Sequence, residues 1–462
     1  MAETELQSRY DIRRALMLDT PISRLIPKLA VPTIVSMLVS SFYNMADTFY
    51  VSMLPGDAAA GAVGINMSLS SIIQMFGMAL GQGANSYIAR LLGAKREDEA
   101  SQTLTVSFIS AFIVGAVMMV ICLIFLDPLM RLLGAKDPAV LKYARDYASY
   151  ILYASPFMCS QFVLNQCLRA EGSATYSMIG IVAGAVLNCA LDPLFIFTFK
   201  MEVAGAALAT AISQLVSFFI LLAPYVGKHS VLRIRVKLFR FTKAIVSEVS
   251  KMGFPSMMRM GLMSLATIVT NTIAQGFSVE ALAAISVVNR IMMFVSSAIL
   301  GYGQGYQPVV GYNYGAKRYD RVSQAFRFAA VTGLIAISAF ALVIGVFSKN
   351  IMGAFSDTPY TIDIGTLSIR LQCLVMPFHA WCIVVNMTYA GLGRAKGAAL
   401  LSIARQGLFF IPIVVLLSYF FNETGLASAQ AAADFFTFII AVPFAVIVMR
   451  DMRRLTLEAG TI

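Results

Sequence analysis

The chain has 462 residues, of which 58% are hydrophobic and only 13% charged, and its mean hydropathy is +0.77. Soluble domains carry about 25% charged residues, so the composition excludes a set of soluble domains and predicts an all-α polytopic membrane protein. The formal charge of +11 would suggest nucleic acid in a soluble chain; here it is expected to follow membrane topology, with no nucleic-acid partner.

The opening MAETELQSRYDIRRAL is polar and charged and has no short apolar stretch ahead of a cleavage site, so the first spanning helix is expected to do its own targeting. Apolar runs divided by polar breaks then predict twelve spanning helices, at residues 25–52, 60–88, 102–126, 142–166, 174–199, 204–226, 251–275, 282–312, 324–348, 364–390, 397–419 and 426–449. The fourth is the weakest, broken by Pro156 and carrying Asn165. An even count returns both termini to one side. With the N-terminus inside, that side holds 25 Lys and Arg against six opposite, which predicts a multi-pass protein with both termini cytoplasmic. The six cysteines (Cys122, Cys159, Cys167, Cys189, Cys373 and Cys382) all fall in apolar stretches and form no CxxC pair or His/Cys cluster, so no metal cluster, disulfide or cofactor is expected.

The largest basic block, GKHSVLRIRVKLFRFTKAIV at 227–246, separates six spans from six. It is read as a cytoplasmic linker at 228–246 between an N-terminal lobe (1–227) and a C-terminal lobe (247–450), with a cytoplasmic tail at 451–462. The halves repeat. Gly93-Ala94-Lys95-Arg96 recurs as Gly315-Ala316-Lys317-Arg318, and shifts of 221–223 also pair Pro32 with Pro255, Asn66 with Asn289, Gly81-Gln82-Gly83 with Gly303-Gln304-Gly305, Asn165 with Asn386, and Gly172 with Gly393. A six-span repeat makes the lobes parallel, related by an axis along the membrane normal, with a central cavity at their interface, as in one class of secondary transporter. No Walker A motif is present, so an ion gradient is expected to supply the energy. A membrane enzyme such as a prenyl or glycosyl transferase would need a DDxxD-like metal cluster, which the sequence lacks.

Ionisable groups inside a spanning helix are expensive and mark function by default. Three acids qualify: Asp47, Asp192 and Asp434. A rise of 1.5 Å per residue puts Asp47 about 28 Å and Asp192 about 27 Å from the cytoplasmic side, with Thr210 near 30 Å. Asn188 lies one turn from Asp192 on the same face. The first six spans contain no clearly embedded Lys or Arg, so this level is read as a place where a carboxylate takes up a proton or binds an ion. Asp434 differs, because depth puts Arg290 about 15 Å and Asp434 about 17 Å from the outer side; a structural pair and a functional one both remain open. Arg259 and Arg405, closer to the inner side, are read as snorkelling.

At these residues the chain resembles the multidrug and toxic compound extrusion (MATE) family, in its bacterial DinF-like branch. The resemblance rests on Pro32, Asn44 and Asp47, on the paired GQG and GAKR motifs, on LNCALDP (187–193) and on GAALATAISQ (205–214). It implies an alternating-access antiporter that exports cationic amphipathic small molecules against inward flow of protons or sodium, working as a monomer among membrane lipids. It implies a cation site of Asp47, Asn188, Asp192 and Thr210, where sodium would sit if sodium is the coupling ion, and a helix hinge at Pro32. The runner-up is a lipid-linked oligosaccharide flippase of the same superfamily, which would want a strongly cationic cavity. The NorM-type branch places acids in spans 7 and 10; here those spans offer Asn271 and Asn386.

Overall fold

The computed structural model describes residues 2–54, 57–227 and 229–460; Lys228, at the head of the expected linker, and Thr461 and Ile462, at the end of the expected tail, lie outside them. Among the described residues the regular elements are all helices. They are α1 (Ala2–Asp19), α2 (Ile22–Ser52), α3 (Asp57–Gly93), α4 (Glu97–Ile124), α5 (Leu126–Leu132), α6 (Pro138–Ala170) and α7 (Ala174–Pro193). Then come α8 (Glu202–Val226), α9 (Lys243–Phe277), α10 (Val279–Gly315), α11 (Tyr319–Gly353), α12 (Pro359–Gly391), α13 (Ala395–Ile403) and α14 (Phe410–Gly460). Short π-helical segments prolong α7 (Leu194–Thr198) and join α13 to α14 (Ala404–Phe409).

Lipid offers backbone amides no partners, so helices that satisfy themselves are the natural spanning elements. Nine segments among the described residues are long and apolar enough to cross a membrane. The last of them, Ala395–Ala459, is two helices in one, because Asn422 leaves the helical region at φ 51° and ψ −130°. The long helices α6 and α9 fall outside the nine; α6 carries Lys142, Arg145 and Asp146, and α9 carries Lys251 and Arg259. With these, the described chain has the twelve long helices of a multi-pass membrane protein. Their ends are set by local chemistry. Asp137 accepts the Ala139 amide at 2.7 Å ahead of Pro138, and Ser278 accepts the Ala281 amide at 3.0 Å, each supplying an N-cap.

One helix was not anticipated. The polar opening forms α1, with Tyr10 and Met17 buried and the Tyr10 hydroxyl donating to the Leu92 carbonyl at 2.8 Å. Its charged residues disguise a helix with a single anchored face.

The repeat is visible at turns. After α3 and after α10 the GAKR motifs close the helix in the same way: Lys95 and Lys317 take φ of 62° and 58°. The Arg96 amide donates to Leu91 and the Arg318 amide to Asn313, both at 2.9 Å, the 6→1 bond of a Schellman ending. Gly172 and Gly393 also share the left-handed region, at 85° and 75°.

By internal contacts the chain forms two compact units. The first is 1–16 with 35–253, and the second is 17–34 with 254–462. The start of α2 therefore belongs to the second unit and the start of α9 to the first. Repeat-related glycines admit these exchanged segments. Within the first unit a Cβ on Gly83 would run into the Val249 carbonyl of α9, and within the second a Cβ on Gly305 would come 2.5 Å from Ala30 Cα of α2. Pro32 and Pro255, also repeat partners, lie two residues from the positions where contacts change hands. A proline removes a rung of the helical hydrogen-bond ladder, so each crossing helix is weakest there.

The linker is tied to the first unit by one buried carboxylate. Glu171 accepts from Ser173 Oγ at 2.7 Å, from Ser230 Oγ at 2.6 Å and from the Val231 amide at 3.1 Å. Burial pushes its carboxyl up, against these hydrogen bonds and the charge of Arg13.

Close backbone approach at Gly83 predicts intolerance to any side chain. Gly83→Val is expected to destabilise by about 1–3 kcal/mol, whereas Gly64→Val, which meets nothing within 4 Å, is expected to be near neutral. Melting temperatures of the purified variants in detergent check the contrast.

Candidate functional site

The acid site of the first unit is built on α2, α6, α7 and α8. Asp192 and Asn188 are one turn apart on α7 and both are buried. Asn188 Nδ2 donates to Asp192 Oδ1 and to Thr210 Oγ1 of α8, each at 3.3 Å. The amide orientation follows: its NH2 must face the carboxylate, which leaves Oδ1 pointing away without a donor. Asp47 of α2 lies within electrostatic reach of Asp192. Among the described residues Asp47 Oδ1, Asn188 Oδ1 and Asp192 Oδ2 are buried oxygens with no hydrogen-bond partner. Three unsatisfied acceptors, two of them on carboxylates, form an arrangement completed by a proton or a small cation.

Depth and facing put Asp47, Asn188, Asp192 and Thr210 at one level; the structure links three of them by hydrogen bonds and sets Asp47 near Asp192. Two tyrosines escaped the sequence reading. Tyr43, one turn before Asp47, hydrogen-bonds Gln214, and Tyr147 of α6 hydrogen-bonds Thr210; both feel the two carboxylates. The four-residue spacing of Tyr43 and Asp47 was a signal available in the sequence. For Tyr147 there was none.

In the second unit the structure corrects the expected pairing of Asp434. Its partner is Arg405 rather than Arg290. Arg405 Nε donates to Asp434 Oδ1 at 2.7 Å and its terminal nitrogen to Oδ2 at 3.2 Å, while Gln430 Nε2 adds a bond to Oδ1 at 2.9 Å. Two facts of facing explain the change. Arg290 is exposed, off the buried stripe of α10 that runs through Ala281, Ile285, Val288, Met292 and Val295. Arg405 stands in the π-helical segment, whose wider turn alters the facing that α-helical counting would give. Arg405 is therefore held by a carboxylate rather than snorkelling to the inner surface.

The repeat-related asparagines of α6 and α12 are helix ties. Asn165 donates to Ser177 Oγ at 2.8 Å, and Asn386 to the Ala398 carbonyl at 2.9 Å and Ser402 Oγ at 3.1 Å. Pro32 lies inside α2 beside the boundary between the units.

The Asp434 carboxylate is 7% exposed and its partner 21%. Removing one member of such a pair leaves a charge stranded and costs about 3–5 kcal/mol, more than removing both. A thermal-stability cycle of Arg405→Met, Asp434→Leu and the double variant is expected to show the double as the more stable of the three, with Arg290→Gln near wild type.

The family model described as MatE matches residues 32–194 and 255–416, one match in each half. Curated relatives include the multidrug export protein MepA of Staphylococcus haemolyticus (strain JCSC1435), 26% identical over 444 residues and covering 96% of this chain and 97% of the relative. MepA of Staphylococcus aureus (strain N315) is 26% identical over 443 residues, 96% of each chain. Among solved structures, a MATE protein in complex with MaD3S superposes with a TM-score of 0.90 at 25% identity, over 96% of this chain and 99% of that one. The outward-facing conformation of a multidrug resistance MATE family transporter of the MOP superfamily gives 0.90 at 24%, over 95% and 98%. With both halves matched by the family model and the full two-lobe fold shared, this chain belongs to the MatE family of membrane transporters.

Proposed function

We propose that this chain is a cation-coupled antiporter that exports amphipathic cationic compounds across a bacterial cytoplasmic membrane, with both termini inside. The observation that carries the reading is the trio of buried acceptors without donors on Asp47, Asn188 and Asp192. The relatives named as multidrug export proteins support export of dissimilar drugs, and the acids of the site support a cationic class among them.

Two carboxylates at close range in an apolar interior repel each other unless a cation joins them. A proton on either acid removes the repulsion; sodium would draw on both acids and Thr210 Oγ1 as hard oxygen ligands, and on Asn188 Oδ1 once the amide has turned its oxygen toward them. A cationic substrate answers the same negative charge, so substrate and coupling ion exclude one another. Entry of the ion from outside releases the substrate outward, and loss of the ion inward restores the charge that draws the next substrate. Pro32 gives α2, which carries Asp47, a place to bend as the charge changes. The 26 methionines suit adaptable walls for dissimilar substrates.

Asp47→Asn and Asp192→Asn are expected to abolish gradient-driven efflux of a lipophilic cation such as ethidium from cells lacking their own pumps, with membrane abundance unchanged. Full efflux by either variant would overturn the coupling role. Substrate affinity of the purified protein, measured from pH 8 to pH 5 with and without sodium, identifies the ion. Proton coupling predicts weaker substrate binding as pH falls, by reciprocity of the two binding events. Sodium coupling predicts weakening by sodium at constant pH.

A further inference from the structure

Beyond the acid site, the second unit holds a charge, that of Arg259, for which the described residues provide no ion pair. Arg259 is half-buried on α9, in helical register with buried Pro255 one turn before it and Ala266 and Thr270 two and three turns after, while Met263 one turn after it is exposed. Arg259 itself is neither fully buried nor exposed. It lies within electrostatic reach of a second guanidinium, Arg405. A glycine brings the two backbones together: a Cβ on Gly407, two residues past Arg405, would come 2.8 Å from Leu262, three residues past Arg259.

The carboxylate nearby is already taken. Both oxygens of Asp434 accept from Arg405, and Oδ1 also accepts from Gln430. Among the described residues Arg259 makes no hydrogen bond and no ion pair. His379 of α12, which faces both Arg405 and Asp434, brings no negative charge. Two guanidiniums thus share one carboxylate, an excess of one positive charge within a membrane-spanning unit, where an unanswered charge is costly. Next to this cluster the unfilled hydrogen-bonding capacity is again of the donor kind: Trp381 Nε1 is buried without an acceptor, and its ring packs on Phe438, one turn from Asp434. Phe378 stacks on Phe438 at 4.6 Å between centroids and meets Phe435 edge-on at 5.9 Å, a wall suited to a flat ring.

We infer that the second unit contains a binding site for an oxyanion carried on an apolar, arene-bearing body, with Arg259 as its principal ligand and Arg405 as its second positive charge. The guanidinium fork matches a carboxylate, sulfonate or phosphate in bidentate fashion. The phenylalanine wall takes the ring. The oxyanion belongs either to a transported compound or to the headgroup of an anionic phospholipid. The inference is independent of the coupling role of Asp47 and Asp192, and its test reads binding rather than transport.

The probe is radiolabelled 2-naphthoate, compared with the neutral 2-naphthamide, on protein in nanodiscs of phosphatidylcholine. Wild type is expected to bind the acid at least tenfold more tightly than the amide. Arg259→Gln is expected to erase that difference, while Arg259→Lys keeps most of it and Arg290→Gln all of it. Arg259 has no internal partner to lose, so the glutamine variant should melt no lower than wild type, and bound naphthoate should raise the melting temperature of wild type alone. Equal binding of acid and amide by wild type, or discrimination that survives in Arg259→Gln, would overturn the site. A further arm replaces half the lipid by phosphatidylglycerol. A loss of naphthoate affinity in wild type beyond that in Arg259→Gln assigns the site to lipid headgroups; an equal loss in both assigns it to the anion of a free compound.

Discussion

A charge buried among apolar helices has to be answered by another charge, and the arrangement of this protein follows from which charges are answered internally. Asp434 is answered by Arg405, with Gln430 completing its coordination, so that carboxylate is closed to outside ions. Asp47 and Asp192 have only neutral company: an asparagine, a threonine and two tyrosines. A closed pair is structure. An open pair of like charges has no counter-charge among the described residues near it, and this is the ground on which we propose it as the coupling site.

The scaffold beneath these sites is duplicated even though the charges are not. Lys95 and Lys317 end corresponding helices with the same left-handed turn, Asn165 and Asn386 tie corresponding helices to the next, and Gly83 and Gly305 admit exchanged helix starts. These positions answer to backbone geometry, which both halves share. The buried carboxylates without a donor lie in the first unit and the carboxylate bound by a guanidinium in the second, because side-chain chemistry is free to diverge once the backbone is satisfied.

Much of this was legible in the residues. Apolar runs give the spans because a bilayer demands length and apolarity together, and the repeat is carried by glycines, prolines and asparagines whose roles are local. Counting depth along helices also puts Asp192, Asn188 and Thr210 at one level, where hydrogen bonds join them. Counting depth cannot give facing. That is why Arg290 seemed the match for Asp434: its level is suitable, but it sits off the buried stripe of α10, whereas Arg405 is turned inward by a π-helical segment that no residue pattern announces. Tyr147 reaches Thr210 from a helix far away in sequence, and α1 hides a buried tyrosine among charges. The exchange of helix starts between the units is likewise invisible to any reading that divides the chain at its most polar segment.

The π-helical segment at 404–409 has a consequence of its own for how this gene can change. Such a segment holds one residue more than an α-helical turn of the same reach, so it can lose one and close into ordinary helix without breaking the span. That single deletion would shift residues of the segment by about 100° around the helix axis, carrying Arg405 away from Asp434 while the span keeps its apolar composition. The membrane would still accept the helix, and hydropathy would scarcely register the event. One codon therefore stands between a neutralised carboxylate in the second unit and a free one.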